Sequence, residues 1–212
     1  LNPIKKLPSR VQSISKIGQD TIILELGIPS SQDFKFTPGQ YIDILLKNGK
    51  KRSYSMANLC SDAKTIELHI RRMKGGTFTE YAFSKMKTRD IIRFEGPKGD
   101  FCFDYTSEKP VIFVASGTGF APIKSILEQL FLDKIERPIQ LYWGGRRPQD
   151  LYLSELAQKW SKEHQNFSFV PVISEATPQD SWEGRSGFVH LAVMEDYDSL
   201  KNYQIYSCGA PE

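Results

Sequence analysis

The chain has 212 residues, of which 40% are hydrophobic and 25% are charged, and its net charge at pH 7 is +3. This composition is typical of a globular protein with one large or two modest domains, and so small a charge gives no argument for nucleic acid as a partner. The longest apolar run, residues 111–115, is far shorter than the roughly 18 residues of a membrane-spanning helix, so we expect no membrane span.

The cysteines and the N-terminus indicate in which cellular compartment the protein works. Cys60, Cys102 and Cys208 are widely spaced and odd in number, which predicts neither a disulfide framework nor a Cys-x-x-Cys metal site. The first residues lack the apolar segment of a signal peptide, so we predict a cytoplasmic protein. A start at Leu1 rather than at Met indicates a fragment of a longer chain.

The first half of the chain predicts six short β-strands joined by turns. They fall in residues 10–26, which alternate well enough for one or two strands and are counted here as two, and in residues 41–46, 52–55, 65–71 and 90–96. In residues 65–71 the apolar Ile66, Leu68 and Ile70 alternate with Glu67, His69 and Arg71, so we expect His69 on the exposed face. Short alternating strands of this kind predict an antiparallel Greek-key β-barrel.

The fourth predicted strand begins with Arg52-Ser53-Tyr54-Ser55. Because side chains alternate along a strand, Arg52 and Tyr54 should point to one face and the two serines to the other. A guanidinium suits phosphate, and an aromatic ring lies beside it, so the stretch is a candidate site for a flat anionic ligand. Taken alone, the four residues also fit an ordinary half-exposed strand.

A second candidate anion site follows the fifth strand. Gly75 and Gly76 lead into a helix whose N-cap we predict to be Thr77 or Thr79. Unbonded backbone N–H groups at a helix N-terminus bind anions. The alternative is a plain loop followed by a capped helix.

The pattern changes at about residue 107, after which strands and helices alternate. The apolar strand 111–115 runs into Ser116-Gly117-Thr118-Gly119 and a helix over about residues 121–133, which tolerates Pro122 in its first turn. Further strands are predicted at 139–143, 167–173 and 204–208, with Tyr142 and Trp143 as core residues, and further helices at 151–164 and 187–194. Alternation predicts an α/β domain with a parallel sheet, whose ligands bind beyond the carboxyl ends of the strands, where Gly117, Gly144 and Cys208 fall.

Six motifs in this order carry a family resemblance. They are Arg52-Ser53-Tyr54-Ser55, Gly75-Gly76-x-Phe78-Thr79, Glu95-Gly96-Pro97-x-Gly99-x-Phe101, Ser116-Gly117-Thr118-Gly119-Phe120-Ala121-Pro122, Tyr142-Trp143-Gly144-Gly145-Arg146 and Cys208-Gly209-Ala210-Pro211. The chain resembles the ferredoxin–NADP reductase superfamily, and within it the flavin reductases and the CDP-6-deoxy-glucoseen reductases of dideoxysugar biosynthesis. The resemblance implies an FAD-binding β-barrel domain over residues 1–105 and an NAD(P)-binding α/β domain over residues 106–212.

The resemblance also implies roles for individual residues. Arg52 would bind the flavin pyrophosphate, Tyr54 would pack on the isoalloxazine ring, and Ser55 would form a hydrogen bond near the reactive flavin N5. Cys208 would lie beside the nicotinamide C4, so Ser55 and Cys208 are the candidate catalytic residues. The remaining implied cofactor contacts are Ser53, His69, Ile70, Arg71, Gly75, Gly76, Thr77, Phe78 and Thr79 for FAD, and Gly117, Thr118, Gly119, Pro122, Gly144, Gly145, Arg146 and Gly209 for the nicotinamide nucleotide.

The implied activity is hydride transfer from NAD(P)H to FAD, followed by single-electron transfer to an iron–sulfur, ferredoxin-type acceptor. One alternative is a reductase of free flavin; another is a nucleotide-binding or electron-relay subunit without turnover. For the donor, Glu175 would repel the 2′-phosphate of NADPH whereas Arg146 and Arg147 would attract it, and NADH is favoured.

Two departures from the family pattern give further expectations. The dideoxysugar reductases carry a [2Fe–2S] domain ahead of the barrel, and this chain does not contain such a domain. We therefore expect the electron acceptor to be an iron–sulfur centre, either on that missing domain or on a separate protein. The chain stops at Glu212, where the family continues with a helix and a strand, so we expect a shortened nucleotide domain. Basic clusters at Lys47, Lys50 and Lys51 and at Arg71, Arg72 and Lys74 are either solvated faces or a steering surface for an acidic electron-transfer partner.

Overall fold

A computed structural model describes residues 2–60 and 64–209. They form two compact units: the first contains the chain up to Phe103 together with Lys124–Gln129, and the second contains Asp104–Ile123 and the chain from Leu130 onwards. Each unit has its own β-sheet, of six strands in the first and five in the second. Among the helices of the described residues, none has the length and apolar character needed to cross a membrane.

The sheet of the first unit is antiparallel, as predicted. Its strands are β1 (Lys5–Ile17), β2 (Thr21–Gly27), β3 (Tyr41–Leu45), β4 (Lys51–Ser55), β5 (Thr65–Arg71) and β6 (Ile91–Lys98), and helix α1 (Thr77–Ser84) lies between β5 and β6 in the chain. The spatial order is β4-β3-β6-β1-β2-β5. The six predicted strands are all present, although β1 begins before residue 10 and β6 continues through Pro97.

The two end strands of this sheet are joined to each other just beyond β4. Met56 forms an antiparallel bridge with Leu68 of β5, and the Ala57 backbone N–H donates to the Glu67 carbonyl oxygen at 2.8 Å. Because the first and last strands of the order are connected in this way, the sheet closes into a barrel. This architecture confirms the predicted β-barrel class.

The barrel interior is filled by the inward side chains of the alternating strands. Ile22, Leu24 and Leu26 of β2 are fully buried, as are Ile66, Leu68 and Ile70 of β5, which are the residues that the alternation predicted.

His69 is not exposed, contrary to our expectation from the alternation. Its side chain is fully buried, and its Nε2 lies 2.8 Å from Glu67 Oε1. Lys124, in a helical segment of the same unit, contacts the same carboxylate oxygen at 3.2 Å. The second face of β5 is therefore covered at this point, which a strand's own alternation cannot reveal.

The N-cap of α1 also differs from the prediction. Gly76 is the N-cap, and neither Thr77 nor Thr79 caps the helix with its side chain. Thr79 Oγ1 instead lies 2.9 Å from the Met73 carbonyl oxygen and 3.1 Å from that of Gly76, so these two acceptors share its single hydroxyl proton. Thr79 thus stabilises the turn that precedes the helix while lying within its first turn.

The sheet of the second unit is entirely parallel, which confirms the predicted α/β class. Its elements are β7 (Val111–Ser116), α2 (Phe120–Leu132), β8 (Ile139–Gly145), α3 (Ser154–Glu163), β9 (Phe167–Ile173), β10 (Arg185–Ser186), α4 (Val189–Asp196) and β11 (Gln204–Cys208). The order is β10-β9-β8-β7-β11. The two-residue β10 lies within a stretch where we predicted no strand, and α4 begins two residues later than expected.

The strand register of this sheet aligns the carboxyl ends of three strands. Ser116 at the end of β7 pairs with Gly144 of β8, and Cys208 at the end of β11 pairs with Ala115 of β7. Tyr142 and Trp143 of β8 are buried, as predicted for core residues. The segments that follow β7, β8 and β11 consequently leave the sheet at the same edge.

Candidate functional site

The Arg52–Ser55 stretch lies on β4, where a tight hairpin with β3 fixes its register. Ile44 pairs with Arg52 and Ile42 with Tyr54. The hairpin turn is closed by a hydrogen bond from the Leu46 N–H to the Lys50 carbonyl oxygen, and Gly49 adopts the positive φ of 77° that the turn requires. Arg52 and Ser53 are exposed, whereas Tyr54 and Ser55 are half-buried.

Tyr54 offers a flat apolar surface at the edge of the barrel core. Its ring packs against the core and lies 5.6 Å from the ring of Phe78, centroid to centroid. Burial raises the pKa of Tyr54 to about 12, so the phenol is neutral at physiological pH. A neutral, half-buried aromatic ring suits stacking on a planar cofactor.

Arg52 is placed to bind an anion. Its guanidinium donates to the Lys51 carbonyl oxygen at 2.7 Å. A guanidinium has five N–H donors, so this bond leaves donors for a phosphate.

Ser53 belongs to a different network, on the other face of β4. Its hydroxyl donates to Asp43 Oδ1 at 2.7 Å, and Lys98 donates to Asp43 Oδ2 at 2.7 Å. Burial raises the pKa of Asp43, but the hydrogen bonds from Lys98 and Ser53 outweigh that effect and hold the pKa below its ordinary value. The contact of Ser53 with a cofactor stays a prediction.

The turn before α1 has the geometry of an anion-binding loop. Gly75 has a φ of +75°, and the Gly76 N–H donates to the Met73 carbonyl oxygen at 2.9 Å. A Cβ on Gly76 would lie 2.6 Å from Thr79 Oγ1, so no larger residue fits without displacing that hydroxyl. No side chain among the described residues caps α1, and the N–H groups of its first turn remain available to an anion such as a diphosphate.

The last residues of β5 offer a cofactor their main chain more than their side chains. Ile70 and the His69 side chain are both fully buried, and the His69 ring is bonded to Glu67. Burial lowers the pKa of His69 in spite of the opposing hydrogen bond with Glu67. A contact of these two residues with a cofactor would therefore use the backbone, whereas the half-buried Arg71 side chain can reach a ligand.

In the second unit, Gly117–Gly119 forms a single 3₁₀ turn between β7 and α2. Gly117 has a φ of +52°, and a Cβ on Gly119 would lie 2.0 Å from the Cys208 carbonyl oxygen. The turn therefore needs glycine at position 119, because the backbone that follows β11 approaches it so closely. Tight turns of this kind before a helix bring backbone N–H groups to a dinucleotide phosphate.

Trp143 holds this turn in place, which the sequence did not predict. Its indole Nε1–H donates to the Gly117 carbonyl oxygen at 3.0 Å, and its ring stacks on Phe120 with centroids 3.9 Å apart. Nothing in the sequence indicates this bond, because the pattern predicts Trp143 only as a large core residue of a buried strand.

The segments after β8 and β9 are bonded to each other. The Ser174 N–H donates to the Gly145 carbonyl oxygen at 3.0 Å and the Glu175 N–H to that of Arg146 at 2.8 Å. Arg147 donates to Thr177 Oγ1 at 3.0 Å and to Asp180 Oδ1 at 2.9 Å, whereas Arg146 is exposed. The Arg147 guanidinium is thus engaged within the protein.

Two of the predicted nucleotide contacts have evident packing roles. A Cβ on Gly144 would lie 2.7 Å from Val189 Cβ in α4, so glycine at this position permits the helix to approach β8. Pro122 is buried in the first turn of α2. Their contacts with a nucleotide stay predictions.

Cys208 ends β11 at the same sheet edge as the Gly117–Gly119 turn. The side chain is half-buried, and burial raises the pKa of its thiol, so it is protonated at neutral pH. A Cβ on Gly209 would lie 2.6 Å from Ser116 Cβ, which again shows close backbone approach. Ala210 and Pro211 of the same motif lie outside the described residues.

No group of three or more His, Cys, Asp or Glu side chains suited to a metal ion occurs in residues 2–60 and 64–209.

Comparison with known proteins identifies two domains. The profile of the oxidoreductase FAD-binding domain matches residues 8–103, and that of the oxidoreductase NAD-binding domain matches residues 113–212. The cytochrome P450 reductase GcoB of Amycolatopsis has a similar structure, with a TM-score of 0.90 and 31% identity over 100% of this chain and 63% of that one.

Two curated relatives are similar over nearly the whole chain. The CDP-6-deoxy-L-threo-D-glycero-4-hexulose-3-dehydrase reductase of Yersinia pestis is 39% identical over 97% of this chain and 61% of its own length. The NAD(P)H-flavin reductase of Vibrio harveyi is 35% identical over 94% of this chain and 85% of its own length. The chain thus spans about three fifths of the first relative and most of the second.

Proposed function

This chain belongs to the ferredoxin–NADP reductase superfamily of FAD- and NAD-binding oxidoreductases, and from that premise we propose that it passes electrons from NAD(P)H through FAD to an iron–sulfur acceptor. The observation that carries the proposal is a pair of anion-binding turns, one in each unit: the Met73–Thr79 turn before α1 and the Gly117–Gly119 turn before α2. Each turn lies beside residues suited to the reacting part of its cofactor.

In the first unit we assign the flavin to Arg52, Tyr54, Ser55 and the Gly75–Thr79 loop. Arg52 and the N–H groups of the loop bind the pyrophosphate, and the neutral Tyr54 ring packs on the ring system. Ser55 donates a hydrogen bond to it. When bound, FAD supplies the conversion of a two-electron hydride into single electrons, which no side chain can perform.

In the second unit we assign the nicotinamide nucleotide to the Gly117–Gly119 turn and Cys208. The turn binds the phosphates through its backbone N–H groups. The protonated Cys208 thiol packs beside the nicotinamide and orients it without introducing a charge. These residues hold and orient their ligands, so their contribution to the rate is positioning.

We favour NADH as the donor. The Glu175 carboxylate follows β9 and is exposed, and its backbone is bonded to that of Arg146. A carboxylate there repels a 2′-phosphate, and the Arg147 guanidinium is already bonded to Asp180 and Thr177. Arg146 is the cation that favours NADPH, and we expect the carboxylate to outweigh it.

The Yersinia relative supports an iron–sulfur acceptor in a deoxysugar pathway, because the dideoxysugar reductases that this chain resembles carry a [2Fe–2S] domain ahead of the barrel. We infer that the acceptor is a ferredoxin-type centre, on a separate protein or on a domain of the same longer chain. We place the reaction in the cytoplasm, where thiols stay reduced, and all three cysteines are free thiols here.

A second candidate function is the reduction of free flavin. It is favoured by the Vibrio relative, most of whose length this chain covers. The anion-binding Gly75–Thr79 loop before α1 argues against it, because an FAD diphosphate bound there would keep FAD on the protein as a cofactor.

The visible absorption spectrum of the purified protein tests the proposal. We expect a yellow protein that keeps its FAD through gel filtration and is bleached anaerobically by NADH faster than by NADPH. The matched control is Gly119→Ala, whose Cβ would collide with the Cys208 carbonyl oxygen, and which should stay yellow but bleach slowly.

Each other result of the spectral experiment points to a different conclusion. A protein that takes up no FAD overturns the assignment of the flavin site. A protein that reduces added flavin but loses it on gel filtration supports the second candidate. Bound FAD that neither nucleotide reduces points to an electron-relay or nucleotide-binding subunit without turnover.

A further inference from the structure

Lys124 is a buried cation of the first unit that the assigned site does not use. Its side chain is 10% exposed, and its Nζ lies 3.0 Å from the Ala57 carbonyl oxygen, 3.2 Å from Glu67 Oε1 and 2.8 Å from Glu128 Oε1. An ammonium group has three N–H donors, so these three acceptors satisfy it completely.

The next residue of α2 makes a similar contact. The Ser125 hydroxyl donates to the Asn58 carbonyl oxygen at 2.7 Å. The Asn58 side chain is itself bonded to the backbone of β5, accepting from the Glu67 N–H at 2.9 Å and donating to the Thr65 carbonyl oxygen at 2.9 Å. Consecutive side chains of α2 thus bind the consecutive carbonyl oxygens of Ala57 and Asn58.

This bonded segment follows directly on Ser55, the last residue of β4. Met56 is fixed by its N–H bond to the Gln40 carbonyl oxygen and Ala57 by its N–H bond to that of Glu67. Lys124 and Ser125 bind the carbonyl oxygens of the next two peptide units, 57–58 and 58–59. The backbone that leaves Ser55 is therefore bonded at four successive peptide units.

A packing role alone does not account for a lysine at this position. Burying an ammonium group costs more than burying an apolar side chain of the same size, even when the charge is paired. Lys124 and Glu128 form a largely buried i,i+4 ion pair on α2. Lys159 and Glu163 form an exposed i,i+4 ion pair on α3, where the Nζ–Oε1 distance is 3.6 Å.

We propose that Lys124 and Ser125 are positioning residues for the flavin site: by binding the carbonyl oxygens of Ala57 and Asn58, they fix the direction in which the Ser55 hydroxyl points. This inference rests on the proposed function, because it takes Ser55 as the residue that contacts the flavin. Lys124 is thereby assigned an action through the Ala57 carbonyl group, and not a cofactor contact of its own.

A double-mutant cycle tests whether Lys124 acts through Ser55. We expect Lys124→Met to slow anaerobic flavin reduction by NADH about tenfold or more, as a misplaced reacting group does, while the KM for NADH stays unchanged. In a Ser55→Ala background, Lys124→Met should cause no further loss of rate. The absorption band of the bound, oxidised FAD should shift in Lys124→Met as it does in Ser55→Ala, which is a readout independent of turnover.

The matched control is Lys159→Met, which removes a lysine from the exposed i,i+4 pair and should leave both rate and spectrum unchanged. Equal losses from Lys124→Met with and without the Ser55 hydroxyl would overturn the inference and leave the proposed function standing. A wild-type protein that binds no FAD would instead overturn the proposed function. Should Lys124→Met not fold, Ser125→Ala takes its place in the same cycle and decides by the same criterion.

Discussion

His69 is a neutral histidine although it lies beside a carboxylate. Burial lowers the pKa of its imidazole, and the positive charge of Lys124 adds to that effect, while the hydrogen bond and the charge of Glu67 oppose it. Because Glu67 is held ionised by His69 and Lys124 against the effect of its own burial, its carboxylate accepts and His69 Nε2 carries the proton. Burial thus decides the charge of this histidine.

This balance predicts a pH dependence of stability. A histidine whose pKa in the folded state lies below its ordinary value of 6.5 binds its proton more readily in the unfolded state. The free energy of unfolding should therefore fall as the pH drops below 6.5, by at most about 1.4 kcal/mol per pH unit, and be unaffected by this group above it. Glu67, whose pKa is lowered from 4.5, contributes only at lower pH.

Urea unfolding of His69→Gln over this pH range provides the measurement. Glutamine keeps a donor towards Glu67 but does not titrate, so the decline below pH 6.5 should become shallower than in the wild type. The matched control is His190→Gln, which removes an exposed histidine of α4 and leaves the buried contact between His69 and Glu67 in place. An unchanged slope in His69→Gln would show that other groups cause the pH dependence.

Strand β8 and the turn after β7 act together, because Trp143 lies on one and bonds to the other. Removing the indole N–H would leave the buried Gly117 carbonyl oxygen with the Phe120 N–H as its remaining donor, so the lost bond costs about 0.5–1.5 kcal/mol. The Gly117–Gly119 turn is then free to shift, and a turn that binds phosphates through its backbone depends on its position.

We expect Trp143→Phe to raise the KM for NADH about fivefold or more, which corresponds to about 1 kcal/mol of lost binding, and to leave FAD retention unchanged. Trp160→Phe is the matched control, since Trp160 is also buried in this unit but lies on α3 and packs against Phe120 at a centroid distance of 6.2 Å. Steady-state kinetics with both variants are the measurement. Equal rises in KM would mean that lost packing, and not the bond to Gly117, is responsible.

The elements themselves were predictable from local patterns. Alternation located β5 and its buried Ile66, Leu68 and Ile70, and the apolar run before Gly117 located β7. The burial of His69 was not predictable, because it depends on chain segments outside β5. Lys124, which binds the same Glu67 carboxylate as His69, lies in a helix far along the chain. The bonds from Trp143 to Gly117 and from Ser125 to Asn58 likewise join residues 26 and 67 positions apart, and no periodicity records such contacts.

At the scale of the whole molecule, the basic clusters are smaller than the sequence indicates. Lys51 is paired with Glu95 at 2.5 Å and Arg72 with Glu80 at 3.2 Å, so each cluster has one charge already balanced. Lys47 and Lys50 are exposed in the β3–β4 hairpin, next to the strand that bears Arg52. Uncompensated positive charge close to a redox site attracts an acidic electron-transfer partner and speeds its association.

Reversing the charge of this hairpin tests such steering. We expect Lys47→Glu with Lys50→Glu to slow the reduction of an acidic [2Fe–2S] ferredoxin about tenfold at low salt, with the loss shrinking as salt screens the charges. Reduction of a small neutral quinone should be unchanged, because a neutral acceptor is not steered. The control reverses Lys159 and Lys162 on α3, which changes the net charge equally. If both double variants reduce the ferredoxin at the same rate, the hairpin lysines form a solvated face and net charge alone sets the association rate.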